Sequence, residues 1–413
     1  MTTPTKQHVA FIGLGYIGLP TAVTLANSGV KVTGIDINED AVTQINRGEV
    51  TIIEPGLEEA LNSALSSGNF TASTTPVRAD AYVIAVPTPF TADHDIDMKF
   101  IYSAAESIAP LLEGDELVIL ESTSPPKTTE KMAQRILELR PEFKGGEKLH
   151  FAHCPERILP GVAMSELKTN DRIIGGMTEE ATRRATEIYA SFCEGELLPT
   201  DAATAEMAKL TENTFRDVNI ALANELSLIC DKLGIDVWEL IKLANHHPRV
   251  NILQPGPGVG GHCIAVDPWF IVAADRENSR LIKIAREVND NKPKWVIEQV
   301  KTKVDKAHGT QKVATFGLAF KPDIDDLRES PALSIVTQLA DQLSDTQILA
   351  VEPNIDSLPV SLSEKKNVVL ASVDEAIRDA DVIVMLVDHK EFKAVDRHLL
   401  NGRPIVDTKG LWA

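Results

Sequence analysis

The chain is poor in cysteine, with four in 413 residues (Cys154, Cys193, Cys230 and Cys263), spread far apart and without a CxxC pair. That spacing fits neither a zinc ribbon nor a disulfide framework, so any cysteine chemistry falls to a single thiol and no metal site is expected. Basic charge is also scarce: 41 Lys and Arg against 60 Asp and Glu leave a formal charge of −19. A face basic enough for nucleic acid or an anionic membrane is excluded, and an anionic small molecule would need a local cluster of cations. No run approaches the ~20 apolar residues that span a bilayer. The amino-terminal stretch lacks a basic segment followed by a cleavable apolar core, so the expected setting is the cytoplasm. Low-complexity tracts and repeats of roughly 20 to 50 residues are missing as well.

What the chain does have is an alternating rhythm. HVAFIGLGYIGLPTAVTLANSGVKVTGIDIN reads as buried strand, glycine turn, helix and second strand, and AYVIAVPTP and ELVILEST add short apolar strands suited to a parallel sheet covered on both faces. Residues 201 to about 300 are dominated by long helical patterns. From 312 the rhythm returns in KVATFGLAF, QILAVEP, DVIVMLVDH and PIVDTKG.

GLGYIG places Gly13, Gly15 and Gly18 in GxGxxG spacing between a strand and a helix, where the backbone can approach a pyrophosphate at a helix amino terminus. Asp36 follows 18 residues after Gly18, at the end of the next strand, where a carboxylate accepts ribose hydroxyls and repels a 2′-phosphate. NAD is therefore expected rather than NADP. The fold class that follows is α/β, two doubly wound Rossmann-like domains joined by a central helical domain, divided at 1–200, 201–300 and 301–413. Thr88 in VPTP and Thr123 in ESTSPP sit at the carboxyl edge of strands, as cofactor neighbours or as plain turn residues.

On AEMAKLTENTFRDVNIALANELSLICDKLGI, Phe215, Val218, Leu222 and Ile229 fall on one side and Lys209, Asn213 and Arg216 on the other. The apolar side is expected to pack while the polar side reaches a ligand. In PGPGVGGHCIAVDPWF, Gly260 and Gly261 permit close backbone approach, and Asp267 follows Cys263 by one helical turn, so thiol and carboxylate can meet. A small buried hydrophobe is the other reading of that cysteine. The remaining cysteines are expected to be core or inert. His247 and Arg249 in HHPRVN contact an anion or form a polar turn, and Lys321 and Arg328 in AFKPDIDDLRES bind an anion or belong to a solvated charge run.

Taken in order, GLGYIGLP, ESTSPP, CPERILPG, AEMAKLTEN, HPRVN, PGPGVGGHC, VDP and FGLAFKPDIDDLRES resemble the UDP-glucose/GDP-mannose dehydrogenase family from residue 8 to 410. The resemblance implies an NAD-dependent four-electron oxidation of a UDP-sugar alcohol to a carboxylate. It makes Cys263 the nucleophile, Lys209 the cation that stabilises oxyanions, and Asn213 their second support. Asp267 would assist proton transfer, and Glu156 with Thr123 would serve thioester hydrolysis. Implied cofactor contacts add Tyr16, Ile17, Thr88 and Arg328 to the glycine loop and Asp36. Implied UDP-sugar contacts are Arg157, Ile158, Lys209, Asn213, Arg216, His247, Arg249, Gly260, Phe320, Lys321 and Lys409.

The loop bearing the matching arginine can reach a neighbouring subunit in this family, so Arg249 implies a homodimer built on the central helices. The sugar implied is UDP-N-acetylmannosamine, with UDP-glucose and UDP-N-acetylglucosamine as alternatives. A two-electron hydroxyacid dehydrogenase and a catalytically silent NAD-binding protein are the competing readings. One departure is visible: Lys127 stands where many members have glycine or Pro-Val.

Overall fold

The computed structural model describes residues 7–91, 95–144, 148–159, 161–261, 263–307, 312–400 and 402–412. It divides into two compact units, Met1–Thr211 and Glu212–Ala413.

The first unit is built on an eight-stranded sheet of β1 (His8–Ile12), β2 (Lys31–Ile35), β3 (Phe70–Ser73), β4 (Ala81–Ile84), β5 (Leu117–Leu120), β6 (His150–His153), β7 (Arg172–Gly176) and β8 (Leu197–Asp201). Their spatial order is β3-β2-β1-β4-β5-β6-β7-β8. Strands β4 and β5 are wholly buried, as continuous apolar runs under helices on both faces should be. Every pairing is parallel except β6 with β7, which the sequence rhythm did not foretell. After β1 the chain turns at Gly13, whose φ of 99° belongs to glycine and whose Cβ would sit 2.3 Å from the Ala85 carbonyl oxygen.

In the second unit, β9 (Lys312–Phe316), β10 (Gln347–Val351), β11 (Val368–Leu370), β12 (Val382–Met385) and β13 (Ile405–Asp407) form an all-parallel sheet in the order β11-β10-β9-β12-β13. Both sheets therefore reverse direction of winding beside their first strand, the position where doubly wound folds hold ligands. The Ala202–Leu233 helix runs through the boundary between the units, and the Arg280–Lys306 helix leads into β9.

The sidedness expected of the Ala202–Leu233 helix is corrected by the structure. Phe215, Leu222 and Ile229 are exposed, at 63%, 47% and 48%, whereas Asn213, Asp217, Asn224 and Ser227 are buried. The cause is a polar seam with the Arg280–Lys306 helix. Arg286 is ion-paired with Asp217, the Asn289 amide donates to Asp217 Oδ1 at 2.8 Å, and the Asn224 amide donates to Asn289 Oδ1 at 2.9 Å. Polar groups enter a core when they bring their partners with them, and hydrophobic periodicity cannot see such pairs. The stretch REVNDNKP, residues 286–293, is thus the complementary half of this seam. Among the described residues, no helix is long and apolar enough to cross a membrane.

Candidate active site

In the first unit the glycine loop fits a dinucleotide. A Cβ on Gly15 would meet nothing within 4 Å, leaving open space in front of the Gly18–Asn27 helix, while one on Gly18 would fall 2.0 Å from the Gly13 oxygen. The loop is thus open toward a pyrophosphate and closed toward its own helix. Asp36 braces it: Oδ2 accepts the Leu14 N–H at 2.9 Å and Oδ1 the Asn38 N–H at 3.0 Å. Ile17 precedes the helix as its cap. Ile37, beside Asp36, is 91% exposed, an apolar surface that no motif marked.

Tyr16 turns out of the loop to donate to Glu54 Oε2 at 2.8 Å. Burial, then this bond, raises its phenol above the ordinary range. Glu54 also accepts the Gly161 and Ala163 N–H groups at 2.8 Å each. The glycine loop is thereby tied to the segment carrying Glu156, Arg157 and Ile158, a link missed by sequence reasoning because nothing in spacing joins residue 54 to 161.

At the carboxyl edge of the sheet, the Thr88 hydroxyl donates to the Thr123 carbonyl at 2.8 Å, so the two candidate cofactor loops are brought together. Glu156 is buried, with Oε2 held by Arg172 at 2.6 Å and Oε1 accepting the Arg157 N–H at 2.7 Å. The Arg157 guanidinium reaches the Asp171 carbonyl. Lys127 opens the Thr128–Leu139 helix with φ 74°, the left-handed backbone for which glycine is suited. Glu206 accepts its N–H at 2.6 Å and that of Thr129 at 2.7 Å. Burial raises the Glu206 carboxyl to about 7.

In the second unit, Cys263 is exposed and in no disulfide, whereas Cys154 and Cys230 are buried. The Asp267 N–H donates to the Cys263 carbonyl at 2.8 Å, so the expected helical turn between the two exists and leads into the Asp267–Ala274 helix. Asp267 is 2% exposed and its Oδ2 accepts from the Asn213 amide at 2.5 Å. Asn213 and Lys209 lie one turn apart on the Ala202–Leu233 helix, with Arg216 exposed further along.

Glycine at 260 answers to the chain itself, since a Cβ there would lie 2.3 Å from the Glu329 oxygen; at Gly261 it would meet the Phe320 ring at 3.0 Å. Phe320 and Lys321 therefore lie beside the cysteine loop. Arg328 is held by Asp326 through Nε at 2.9 Å and Nη2 at 2.7 Å, and Lys409 by Asp388 at 3.2 Å. His247 Nδ1 accepts the Arg249 N–H at 3.3 Å in an exposed polar turn.

Asp323, His389 and Glu391 place possible metal-ligating atoms within 4.8 Å of one another. Both ring nitrogens of His389 are already engaged: Nδ1 accepts the Asp323 N–H at 2.9 Å and Nε2 faces Glu352 at 3.0 Å. Glu352 in turn accepts the N–H groups of Leu318 and Ala319 at 2.8 and 3.1 Å, so the cluster braces the loop that carries Phe320 and Lys321.

The dinucleotide cradle of the first unit is the mark of an NAD-dependent dehydrogenase, and the second unit adds an exposed thiol one turn ahead of a buried acid and amide pair. Family models for the UDP-glucose/GDP-mannose dehydrogenase family match the chain in three parts: the NAD binding domain over residues 7–193, the central domain over 203–291 and the UDP binding domain over 314–413. The chain belongs to this family. It is 57% identical to the UDP-N-acetyl-D-mannosamine dehydrogenase of Escherichia coli K12, over 98% of this chain and 99% of that one. Its fold is similar to that of UDP-D-ManNAc dehydrogenase from Pyrococcus horikoshii, with TM-score 0.86, 38% identity and coverage of 98% and 96%. It is likewise similar to the UDP-N-acetyl-mannosamine dehydrogenase from S. aureus, with TM-score 0.85, 44% identity and coverage of 98% and 95%.

Proposed function

We propose that the enzyme oxidises the C6 alcohol of UDP-N-acetyl-D-mannosamine to the carboxylate of UDP-N-acetyl-D-mannosaminuronic acid, a building block for cell-surface polysaccharide. The observation that carries this reading is the 57% identity with the Escherichia coli enzyme across nearly the full length of both chains. NAD, when bound, supplies the hydride acceptor for two successive oxidations.

The chain's own residues do the rest. Cys263 adds to the intermediate aldehyde and holds it as a thiohemiacetal, since a hydrated or escaping aldehyde would end the sequence halfway. Lys209 and Asn213 stabilise the oxyanion at each tetrahedral stage, and Asp267, kept in place by Asn213, exchanges the proton. Glu156 takes a proton from the water that cleaves the thioester, with Thr123 beside that water. Arg157, Ile158, Arg216, His247, Arg249, Gly260, Phe320, Lys321 and Lys409 line the nucleotide-sugar site, while Gly13, Gly15, Tyr16, Ile17, Gly18, Asp36, Thr88 and Arg328 hold NAD. The cationic members supply the local positive field that an acidic chain otherwise lacks.

The working form is a homodimer, in the cytoplasm where nucleotide sugar and NAD are held, with parts divided near residues 200 and 300. What supports the dimer is the apolar row Phe215, Leu222 and Ile229 at seven-residue intervals, left exposed on the Ala202–Leu233 helix, with Leu281 and Ile284 also exposed on the Arg280–Lys306 helix. A second copy covers such a stripe by presenting the same stripe. Phe215→Glu with Leu222→Glu halves the mass in sedimentation equilibrium; an unchanged mass contradicts the dimer.

Steady-state rates with UDP-N-acetylmannosamine, UDP-glucose and UDP-N-acetylglucosamine test the substrate. The first is expected to have the highest kcat/KM. Preference for UDP-glucose overturns the assignment.

A further inference from the structure

Strand β7 runs antiparallel to its neighbour and so begins at the carboxyl edge of the sheet. Its register with β6 sets Ala152 opposite Gly176 and His153 opposite Gly175, and past the end of β6 the Arg172 side chain meets Glu156, Nη2 to Oε2 at 2.6 Å. A second carboxyl faces the same guanidinium: Glu121, just after β5, lies with Oε1 3.5 Å from Arg172 Nη1, and its side chain is fully buried. Tyr189, from the Glu179–Tyr189 helix, donates to Glu121 Oε1 at 3.2 Å, and its ring centre lies 4.6 Å from the guanidinium carbon. Phe192 flanks the guanidinium at 5.5 Å. The buried Cys154 is the further titratable group against the cluster, and burial pushes its thiol up.

Two carboxylates and one guanidinium cannot all ionise cheaply in so dry a place. Burial pushes Glu121 up to about 8, against the pull of Arg172. A carboxyl raised in this way holds its proton more tightly than an ordinary one, and while it does so Arg172 is left to Glu156.

We propose that Arg172 is the positioning residue for Glu156, and that Glu121 decides how much of the shared guanidinium Glu156 receives. The proposal rests on the reading of Glu156 as the base of thioester hydrolysis. In that step the water oxygen bonds to the acyl carbon, the bond to Cys263 sulfur breaks, the water proton passes to Glu156, and sulfur leaves as thiolate. An ionised Glu121 draws Arg172 toward itself and leaves the Glu156 carboxylate loose, so hydrolysis slows as pH rises through about 8.

The test is rapid quench of the full-length enzyme with UDP-N-acetylmannosamine and NAD across this pH range, reading the acyl adduct on Cys263 by intact mass and NADH by absorbance. In the native enzyme the adduct accumulates on the alkaline side; in Glu121→Gln, neutral at every pH, its lifetime does not lengthen there. Arg172→Lys lengthens that lifetime roughly tenfold or more at every pH, on the scale of impaired base catalysis, with the NADH burst retained. Superimposable pH profiles for the native enzyme and Glu121→Gln, or native hydrolysis in Arg172→Lys, overturn the proposal; if Arg172→Lys does not fold, the Glu121→Gln profile decides alone. Glu156→Gln separates the two levels. If it hydrolyses the adduct at the native rate, the reading of Glu156 itself fails; if it is slow while Glu121→Gln keeps the native profile, only the role of Arg172 and Glu121 fails.

Discussion

Asn213 and Asp267 face each other in the interior of the second unit, amide nitrogen to carboxylate oxygen at 2.5 Å, one from a long helix and the other from the first turn of a short one. Asp267→Asn keeps the size and removes the charge. If Asp267 exchanges a proton with the reacting sugar, turnover falls by about 10² to 10⁴. Asn213→Ala instead leaves a buried carboxylate short of a donor and lowers stability by about 1–3 kcal/mol. Turnover and denaturant unfolding of the two variants check each arm.

Asp36 already spends one lone pair on the Leu14 N–H and one on Asn38, so its carboxylate is fixed where a ribose would meet it. Asp36→Ala raises the KM for NAD and narrows the gap between NAD and NADP, because the charge that repels a 2′-phosphate is gone. An unchanged NAD to NADP ratio of kcat/KM removes Asp36 from cofactor choice.

Lys127 holds a left-handed backbone at φ 74° where an L residue is strained by about 1–2 kcal/mol. Lys127→Gly relieves that strain, less what glycine loses in chain entropy, and stability rises by about 0.5–1 kcal/mol. The midpoint of denaturant unfolding measures it.

Lys292 is buried against Ser227, and burial pulls its ammonium from the ordinary 10.5 down to about 7. From pH 7 to 10.5 the folded chain binds fewer protons here than the unfolded chain, so this group makes stability rise with pH in that window. Below pH 7 the penalty of the buried charge is complete. Lys292→Met therefore stabilises most on the acid side, by about 1 kcal/mol or more, and its advantage shrinks toward pH 10. Paired unfolding curves at both ends of the window give the comparison.

The sheets were legible because buried parallel strands are continuous apolar runs, and the glycine loop because Gly13, Gly15, Gly18 and Asp36 keep a fixed spacing. The turn from Cys263 to Asp267 could also be read from four-residue spacing. Phe215, Leu222 and Ile229 do not pack within the chain, because the helix is fastened there by Asp217, Asn224 and Ser227, whose partners Arg286, Asn289 and Lys292 lie far away in the sequence. Glu54, Glu121 and Arg172 leave no trace in spacing for the same reason: each acquires its role from a contact made only when distant segments of the chain meet.

The number of electrons that leave one sugar is the most direct measurement. With limiting UDP-N-acetyl-D-mannosamine and excess NAD, two NADH are expected for each sugar consumed and the uronic acid as product, while Cys263→Ser still binds NAD and yields no acid. A single NADH per sugar, with a stable carbonyl compound accumulating, contradicts that expectation.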